Sequence, residues 1–243
     1  MEINPDQVLL TGGRGLLGTE LCKLEPKLLA TDLEEFDVTD PDQMADFLTG
    51  RNITTILHVA AFISPPKIDA NPVQALQTNI IGTANIATLC IKRQFRLVYI
   101  STDYVFQGDR GNYRENDELL PQNRYAWSKL GGECAVRLHN DSLIIRTSFC
   151  EPVFPHPKAF IDQYTSRDSV TVIAPLILKL ALLPELIGII HVGTTRKSVI
   201  ELARKLDRTD VGELRRDEVS FEVPFDTSFD LTKLQEILTK EQR

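Results

Sequence analysis

The chain has 243 residues and a formal net charge of −7, which allows one large α/β domain with a small extra lobe and argues against a nucleic-acid-binding surface. Its four cysteines show no C-x-x-C spacing, as is typical of free thiols in a reducing compartment. A polar first segment and the lack of an apolar run long enough for a bilayer predict a cytoplasmic protein, with no signal peptide and no membrane contact.

Strand and helix patterns alternate through the first half of the chain. In chain order they predict strand 7–10, helix 16–24, strand 27–30, helix 41–48, strand 54–59, helix 72–92, strand 96–100, helix 125–138 and strand 142–146. Alternation of this kind predicts an α/β fold with a doubly wound parallel sheet (Rossmann) and helices on both faces.

The alternation weakens after residue 147. Residues 150–168 contain three prolines and predict a loop with a little helix, and the charged run 205–217 predicts a solvated face. Between and beyond these segments the pattern predicts helix 171–182, strand 188–192, helix 199–205 and helix 232–240.

A glycine-rich loop lies between the first strand and the first helix. Residues 11–18 read T-G-G-R-G-L-L-G, which fits both G-x-G-x-x-G and G-x-x-G-x-x-G. Such glycines allow a tight turn and a close backbone approach to a pyrophosphate, beside the free N–H groups of the helix. A glycine pattern also fits an ordinary turn, but its place between strand and helix favours a dinucleotide. The predicted contacts are Gly12, Gly13, Arg14, Gly15, Leu16, Leu17 and Gly18.

The sequence leaves the choice between NAD and NADP open. Asp32 ends the second strand, where it can accept hydrogen bonds from the adenosine ribose of NAD or simply be a solvated turn residue. Arg14 lies within the glycine loop and can pair with the 2′-phosphate of NADP.

Tyr125 and Lys129 are four residues apart on a predicted helix, and therefore on one helical face. A free phenol has a pKa near ~10, but a lysine charge ~4 Å away at an effective dielectric near ~20 is worth ~4 kcal/mol, or up to ~3 pK units. That shift brings the phenol close to a working pH for acid–base catalysis. Thr102, at the end of the fourth strand, can hold a substrate carbonyl beside them.

Further short motifs accompany these two features. They are residues 37–40 (D-V-T-D), 60–61 (A-A), 79–83 (N-I-I-G-T), 101–106 (S-T-D-Y-V-F), 132–133 (G-E) and 146–148 (R-T-S). With them the chain resembles the extended short-chain dehydrogenases/reductases, and within these the dTDP-4-dehydrorhamnose reductase family. The resemblance runs from about residue 8 to the final helix.

The resemblance implies roles for individual residues. Thr102, Tyr125 and Lys129 would be the catalytic trio. The remaining implied residues are Asp37 and Val38 at the adenine, Ala60, Ala61 and Asn79 in the cofactor site, and Ser101, Asp103, Tyr104, Phe106 and Arg167 on the substrate side. Arg167 with Asp168 also resembles the pair that nucleotide-sugar epimerases use near the diphosphate, although a helix-capping pair fits equally well.

The implied reaction is NAD(P)H-dependent reduction at C4 of a nucleotide-linked 4-keto-6-deoxy sugar, with the tyrosine as proton donor. We predict residues 1–148 as the NAD(P)-binding Rossmann domain, with its sheet completed by 188–193, and residues 149–243 as a reduced substrate-binding lobe. The resemblance also allows a homodimer. No metal is predicted, because His139, His156 and His191 lack metal-ligand spacing.

Two departures from the family pattern fall on the substrate side. Pro65-Pro66 stands where the family usually has Val-Asp before a lysine, and the segment between Ser148 and Asp162 is short. Two alternatives therefore stay open: an epimerase or epimerase/reductase of the same class of sugar, and a non-catalytic regulatory subunit like that of methionine adenosyltransferase. A 4,6-dehydratase is disfavoured, because Tyr104 follows Asp103 where that family has an acid.

Overall fold

The computed structural model describes residues 2–240. Its strands are β1 (Val8–Thr11), β2 (Leu29–Thr31), β3 (Thr55–His58), β4 (Arg96–Thr102), β5 (Ser142–Thr147), β6 (Phe149–Cys150), β7 (Lys158–Phe160), β8 (Tyr164–Thr165), β9 (Asp168–Ser169), β10 (Gly188–Val192), β11 (Lys197–Ser198) and β12 (Gly212–Leu214). Its α-helices are α1 (Leu16–Leu24), α2 (Pro41–Phe47), α3 (Pro65–Ala70), α4 (Pro72–Ala75), α5 (Thr83–Arg93), α6 (Arg124–Val136), α7 (Val170–Ala181), α8 (Val199–Lys205) and α9 (Thr232–Lys240).

The largest sheet among the described residues has six strands in the order β10-β5-β4-β3-β1-β2. β1 pairs in parallel with β2 and β3, and β3 pairs in parallel with β4. The predicted α/β fold class with a parallel sheet is confirmed. The strand predicted at 188–192 occupies one edge of this sheet.

The chain divides into two compact units. Unit 1 contains the chain up to Ser101, Asn123–Ile145 and Ala174–Ile189, and unit 2 contains Thr102–Gln122, Arg146–Ile173 and the chain from Ile190 on. The domain boundary predicted after residue 148 stays a prediction.

Apolar strands form the core of unit 1. Leu9, Ile56, Leu97 and Ile144, from four different strands, are each no more than 1% exposed. Strands that are covered on both faces are characteristically continuous in apolar residues, as the sequence pattern showed here. No helix of the described residues is long and apolar enough to span a bilayer.

The long helix predicted at 72–92 is confirmed as an unbroken helical run, but its middle is π-helical rather than α-helical. Asn71 caps α4 by accepting a hydrogen bond from Val73 N–H at 3.2 Å, a π-helical segment (Leu76–Gly82) follows, and α5 completes the run. Gly82 ends the π-helical segment where a Cβ would lie 2.6 Å from Val38 Cγ2. The helix therefore deforms locally where it packs closely against another segment, a contact that periodicity does not reveal.

The loop predicted at 150–168 is confirmed for most of that stretch, but the little helix is wrong, because the regular structure there consists of short strands. Three prolines remove backbone donors there, so helix does not form. β7 instead pairs in parallel with β12, which lies in the charged run 205–217. Leu206 and Val211 in that run are buried in a small core of unit 2, so the run is not simply a solvated face. The other predicted elements agree with the structure to within two residues at each end.

Candidate active site

The glycine loop after β1 closes in a way that excludes side chains. Gly12 has φ +73°, and a Cβ there would lie 2.8 Å from the Ala60 backbone. A Cβ on Gly18 would lie 2.2 Å from the carbonyl oxygen of Gly12. The turn is tied by a 3.1 Å hydrogen bond from Gly15 N–H to the same carbonyl. Only glycine fits these positions, and the backbone stays open to a ligand.

The helix that follows presents its positive end to this loop. α1 begins after Gly15, which is extended, and no side chain caps its first turn. Uncapped N–H groups at a helix N-terminus, with the helix dipole behind them, attract phosphate groups. The loop and the helix start together fit the diphosphate of a dinucleotide.

Four charged side chains meet beyond the end of β2. Asp32 Oδ2 accepts a hydrogen bond from the backbone N–H of Arg14 at 3.0 Å. The Arg14 guanidinium pairs with Glu34 at 3.2 Å and with Glu35 at 2.9 Å. The hydrogen bond and charge of Glu34, followed by the charge of Glu35, raise the pKa of Arg14.

The other predicted cofactor residues in unit 1 have defined surroundings. Asp37 accepts hydrogen bonds at 2.8 Å from the backbone and hydroxyl of Thr39. Val38 is buried, whereas Ala60 and Ala61 are half-buried after β3. These residues keep a cofactor role as a prediction.

Asn79 is fully buried and joins two segments of unit 1. Its Oδ1 accepts from Phe62 N–H at 2.7 Å, and its Nδ2 donates to Phe62 O at 2.9 Å and to Ser128 Oγ at 2.8 Å. This side chain therefore fixes the loop after β3 to α6, the helix that carries Tyr125 and Lys129.

A buried histidine connects the ends of β1 and β3 with α5. His58 Nδ1 lies 2.8 Å from Thr11 Oγ1, and His58 Nε2 lies 3.0 Å from Thr83 Oγ1. Thr11 Oγ1 in turn accepts from Ala60 N–H at 3.2 Å. Burial first, and then the charge of Lys129, lower the pKa of His58 to about 3, so the ring is neutral. Through its contact with Thr11, His58 stabilises the residue that precedes the glycine loop.

Tyr125 and Lys129 lie on α6, as the spacing predicted, but their exposure differs. Tyr125 is half-buried, whereas Lys129 is 3% exposed. Lys129 Nζ lies 4.1 Å from the centroid of the Tyr99 ring, and Tyr99 donates its hydroxyl to Lys129 O at 3.1 Å. The ring faces the ammonium group and can stabilise its charge.

The environment of Lys129 moves its titration toward neutrality. Burial lowers the pKa of Lys129 to about 7, while the charge of the buried Glu133 works in the opposite direction. A buried lysine whose charge switches near neutral pH is typical of a functional site.

Ser101, at the end of the unit 1 part of β4, is buried, and its Oγ has no partner among residues 2–240.

In unit 2, Thr102 begins a turn that positions two further predicted residues. Thr102 Oγ1 accepts from Tyr104 N–H at 3.3 Å and donates to Asp103 Oδ1 at 3.2 Å. Asp103 also accepts from Thr227 Oγ1 at 2.8 Å. Burial raises the pKa of Asp103, against the opposing charge of Arg167. The turn is thus held by a buried acid that neighbouring hydroxyl groups and a cation stabilise.

A cavity of about 400 Å³ lies in unit 2 and receives two of the predicted substrate residues. Tyr104 and Arg167 line it, together with Phe154, Lys158, Phe160 and Thr227. Arg167 Nε donates to Ser148 Oγ at 2.9 Å. Burial lowers the pKa of Arg167, but interactions with Tyr104 and Asp103 outweigh it and raise that pKa overall. The cavity therefore combines aromatic walls with a fixed cation, which suits an anionic ligand.

Phe106 does not line this cavity. It is 1% exposed, stacks on Tyr113 with 4.3 Å between ring centroids, and meets His191 and Phe229 edge-on. Its neighbours are core residues of unit 2, so a contact with substrate stays a prediction.

The sequence interpretation missed Lys158, Phe160 and Thr227. The first two follow the prolines of the segment predicted as loop, where no periodic pattern identified a strand. Thr227 is 124 residues away from its partner Asp103, and no local signal connects them. Within residues 2–240 no group of three or more histidine, cysteine or acidic side chains is placed to hold a metal ion.

Comparison with known proteins finds the same family that the sequence motifs resemble. A family model described as the RmlD substrate binding domain matches residues 6–198. A dTDP-4-keto-6-deoxy-D-glucose reductase from Streptomyces niveus is 36% identical over 152 residues, covering 59% of this chain and 52% of that relative. The solved structure of dTDP-4-dehydrorhamnose reductase from Bacillus anthracis in complex with NADP is 28% identical, has a TM-score of 0.84, and covers 98% of this chain and 93% of that one.

A relative with a different kind of name is also similar. Methionine adenosyltransferase 2 subunit beta from Bos taurus is 31% identical over 150 residues, covering 55% of this chain and 43% of that relative. The chain spans about half the length of the curated relatives it matches.

Proposed function

The chain belongs to the family described as the RmlD substrate binding domain, and on this premise we propose that it reduces a nucleotide-linked 4-keto-6-deoxy sugar with NADH or NADPH. The resemblance stated from the motifs is thereby confirmed at the level of the family. Reductases of dTDP-linked 4-keto sugars among the relatives support the reaction and the substrate class. The proposal is thus an NAD(P)-dependent oxidoreductase similar to dTDP-4-dehydrorhamnose reductase.

The observation that carries the proposal is the buried Lys129 on the same helix as Tyr125, in the unit that also holds the glycine loop. The loop would hold a dinucleotide, which when bound would supply the hydride for the carbonyl carbon. Tyr125 donates its phenolic proton to the carbonyl oxygen. Lys129, when charged, lowers the pKa of that phenol and so stabilises the phenolate left behind.

The remaining roles follow from the position of each residue. Gly12 to Gly18 and the start of α1 would hold the diphosphate of the cofactor. Thr102 donates its hydroxyl to the substrate carbonyl after releasing Asp103, its partner in the structure. Arg167 and Lys158 in the cavity of unit 2 bind the diphosphate of the sugar nucleotide, and the aromatic walls pack against its apolar faces.

Partners and location extend the proposal. We expect a sugar nucleotide as the small-molecule partner, no binding to nucleic acid, a cytoplasmic location and a homodimer. The division into a cofactor domain and a reduced substrate lobe is part of the same proposal.

The direct test is oxidation of reduced cofactor by a panel of dTDP-, UDP- and GDP-linked 4-keto sugars. We expect at least one dTDP-linked sugar to be reduced. Tyr125→Phe should lower turnover by roughly 10²–10⁴, the contribution of a positioned acid–base group, with little change in cofactor affinity. Tyr164→Phe is the matched control, because it also removes one phenol hydroxyl but lies outside the residues that line the cavity.

The similarity to methionine adenosyltransferase 2 subunit beta favours a second candidate function, that of a nucleotide-binding regulatory subunit. Tight cofactor binding without turnover of any keto sugar would favour that function. A third outcome, exchange of configuration without net oxidation of the cofactor, would identify an epimerase. Reduction of simple ketones alone would contradict the proposed substrate class.

A further inference from the structure

We infer that the cofactor site selects NAD(H) over NADP(H), and that Glu34 and Glu35 impose this choice by occupying Arg14, the cation of the glycine loop that could bind a 2′-phosphate. The inference rests on the proposed function, since it concerns the cofactor of that same site. It resolves the choice that the sequence leaves open between Asp32 and Arg14.

The contacts of Arg14 carry the first step. Both terminal nitrogens of its guanidinium are engaged, one with Glu34 at 3.2 Å and the other with Glu34 at 3.2 Å and Glu35 at 2.9 Å. The planar guanidinium group, which could bind a phosphate through two hydrogen bonds, is therefore already bound to two carboxylates.

The local charge carries the second step. Asp32, Glu34 and Glu35 contribute three negative charges and Arg14 one positive charge, which leaves −2 around the end of β2. A 2′-phosphate brings close to two further negative charges at neutral pH. Its binding would require Arg14 to leave both glutamates and would still meet the repulsion of all three acids.

The third observation in favour of NAD(H) is the carboxylate of Asp32, which is oriented so that it can accept a hydrogen bond from a hydroxyl. Its Oδ2 accepts from Arg14 N–H at 3.0 Å and its Oδ1 from Leu33 N–H at 2.8 Å, which fixes the orientation of the group. A carboxylate oxygen can accept more than one hydrogen bond, so capacity remains for the ribose hydroxyls of NAD(H).

The ion pairs are exposed, and this sets the size of the effect. The side chains of Arg14, Glu34 and Glu35 are 61%, 75% and 46% exposed. Salt screens exposed charges, so we expect a preference for NADH of about ten- to hundredfold in dissociation constant rather than complete rejection of NADPH. The preference should narrow as the salt concentration rises.

The test is titration of the full chain with NADH and with NADPH, followed by fluorescence of the reduced nicotinamide. The variant Glu34→Gln/Glu35→Gln removes two charges, and the amide oxygen that it places at position 35 can still accept from Asp32 N–H as Glu35 does at 3.2 Å. We expect this variant to bind NADPH about tenfold more tightly or better, with NADH changed less than about threefold. Adding Arg14→Gln should abolish the gain for NADPH, because the released guanidinium is its source.

A matched control removes two charges elsewhere in unit 1. Glu2 and Glu185 are both exposed. Glu2 precedes β1 and Glu185 follows Leu182 by three residues, and a backbone hydrogen bond from Ile3 N–H to Leu182 O joins these two stretches. Neither residue belongs to the loop that follows β1. Glu2→Gln/Glu185→Gln should leave the ratio of the two affinities unchanged.

Each outcome decides the matter. Equal or tighter binding of NADPH by the unmodified chain would overturn the inference, as would a gain for NADPH that survives Arg14→Gln. Failure of both cofactors to bind would overturn this inference and the proposed function together. Preferential binding of NADH without turnover of any keto sugar would support the inference and count against the proposed function alone.

Discussion

The two units of the chain build their candidate sites in different ways. Unit 1 relies on backbone groups from short motifs, above all the glycine loop and the uncapped start of α1. Unit 2 relies on side chains from three separated stretches, with Asp103 bonded to Thr227 and Arg167 bonded to Ser148.

The difference teaches how each site should respond to substitution. A backbone site tolerates changes of side-chain chemistry but fails when a Cβ enters the turn. A side-chain site keeps its shape when a glycine changes elsewhere, but it depends on the charge and length of single residues. The following expectations test this contrast, from the largest effect to the smallest.

Gly18→Ala should have the largest effect, because its Cβ would lie 2.2 Å from the carbonyl oxygen of Gly12. We expect a loss of about 3 kcal/mol in the free energy of unfolding and loss of measurable cofactor binding. Gly50→Ala is the matched control. Gly50 also has positive φ, at +73°, but a Cβ there would have no atom within 4 Å, so the cost should be backbone strain of about 1 kcal/mol. Chemical denaturation measures both, and equal losses would contradict a steric role for the loop.

Arg167→Gln tests the side-chain site of unit 2. A charge-assisted hydrogen bond contributes about 1.5–3 kcal/mol, so we expect the KM for the sugar nucleotide to rise about ten- to hundredfold. Cofactor affinity should not change. Arg204→Gln is a suitable control, since that arginine is exposed and pairs with Glu213 only at 3.7 Å. A fall in kcat without a change in KM would argue against a binding role.

Two buried histidines, one in each unit, allow a direct comparison by pH. Burial is the main cause that lowers the pKa of His58 and of His191 to about 3 from an ordinary value of 6.5. Because the unfolded chain binds these protons more readily, each histidine contributes stability above pH 6.5 that is lost as pH falls toward 3. His58→Gln and His191→Gln should each flatten this part of the curve of unfolding free energy against pH. A curve unchanged in both variants would mean that other groups control the acid limb.

Glu133→Gln should give the smallest effect. The charge of Glu133 raises the pKa of Lys129, which burial holds at about 7. Without that charge, Lys129 should lose its proton at lower pH, and the positive charge that assists Tyr125 should therefore be lost at lower pH. We expect the alkaline limb of kcat/KM to move to lower pH by about one unit or less. A shift to higher pH would contradict this account of Lys129.

The sequence by itself determined the parallel sheet, the glycine loop and the pairing of Tyr125 with Lys129 on one helix. Each of these depends on periodicity or on the conformational freedom of glycine, which are properties of neighbouring residues. Tertiary structure alone decided that Lys129 is buried against Tyr99 and that Glu34 and Glu35 occupy Arg14. It also decided that residues 158–160 form a strand, since their partner lies more than fifty residues later in the chain. Burial and long-range pairing depend on which segments meet, and local sequence carries no record of that.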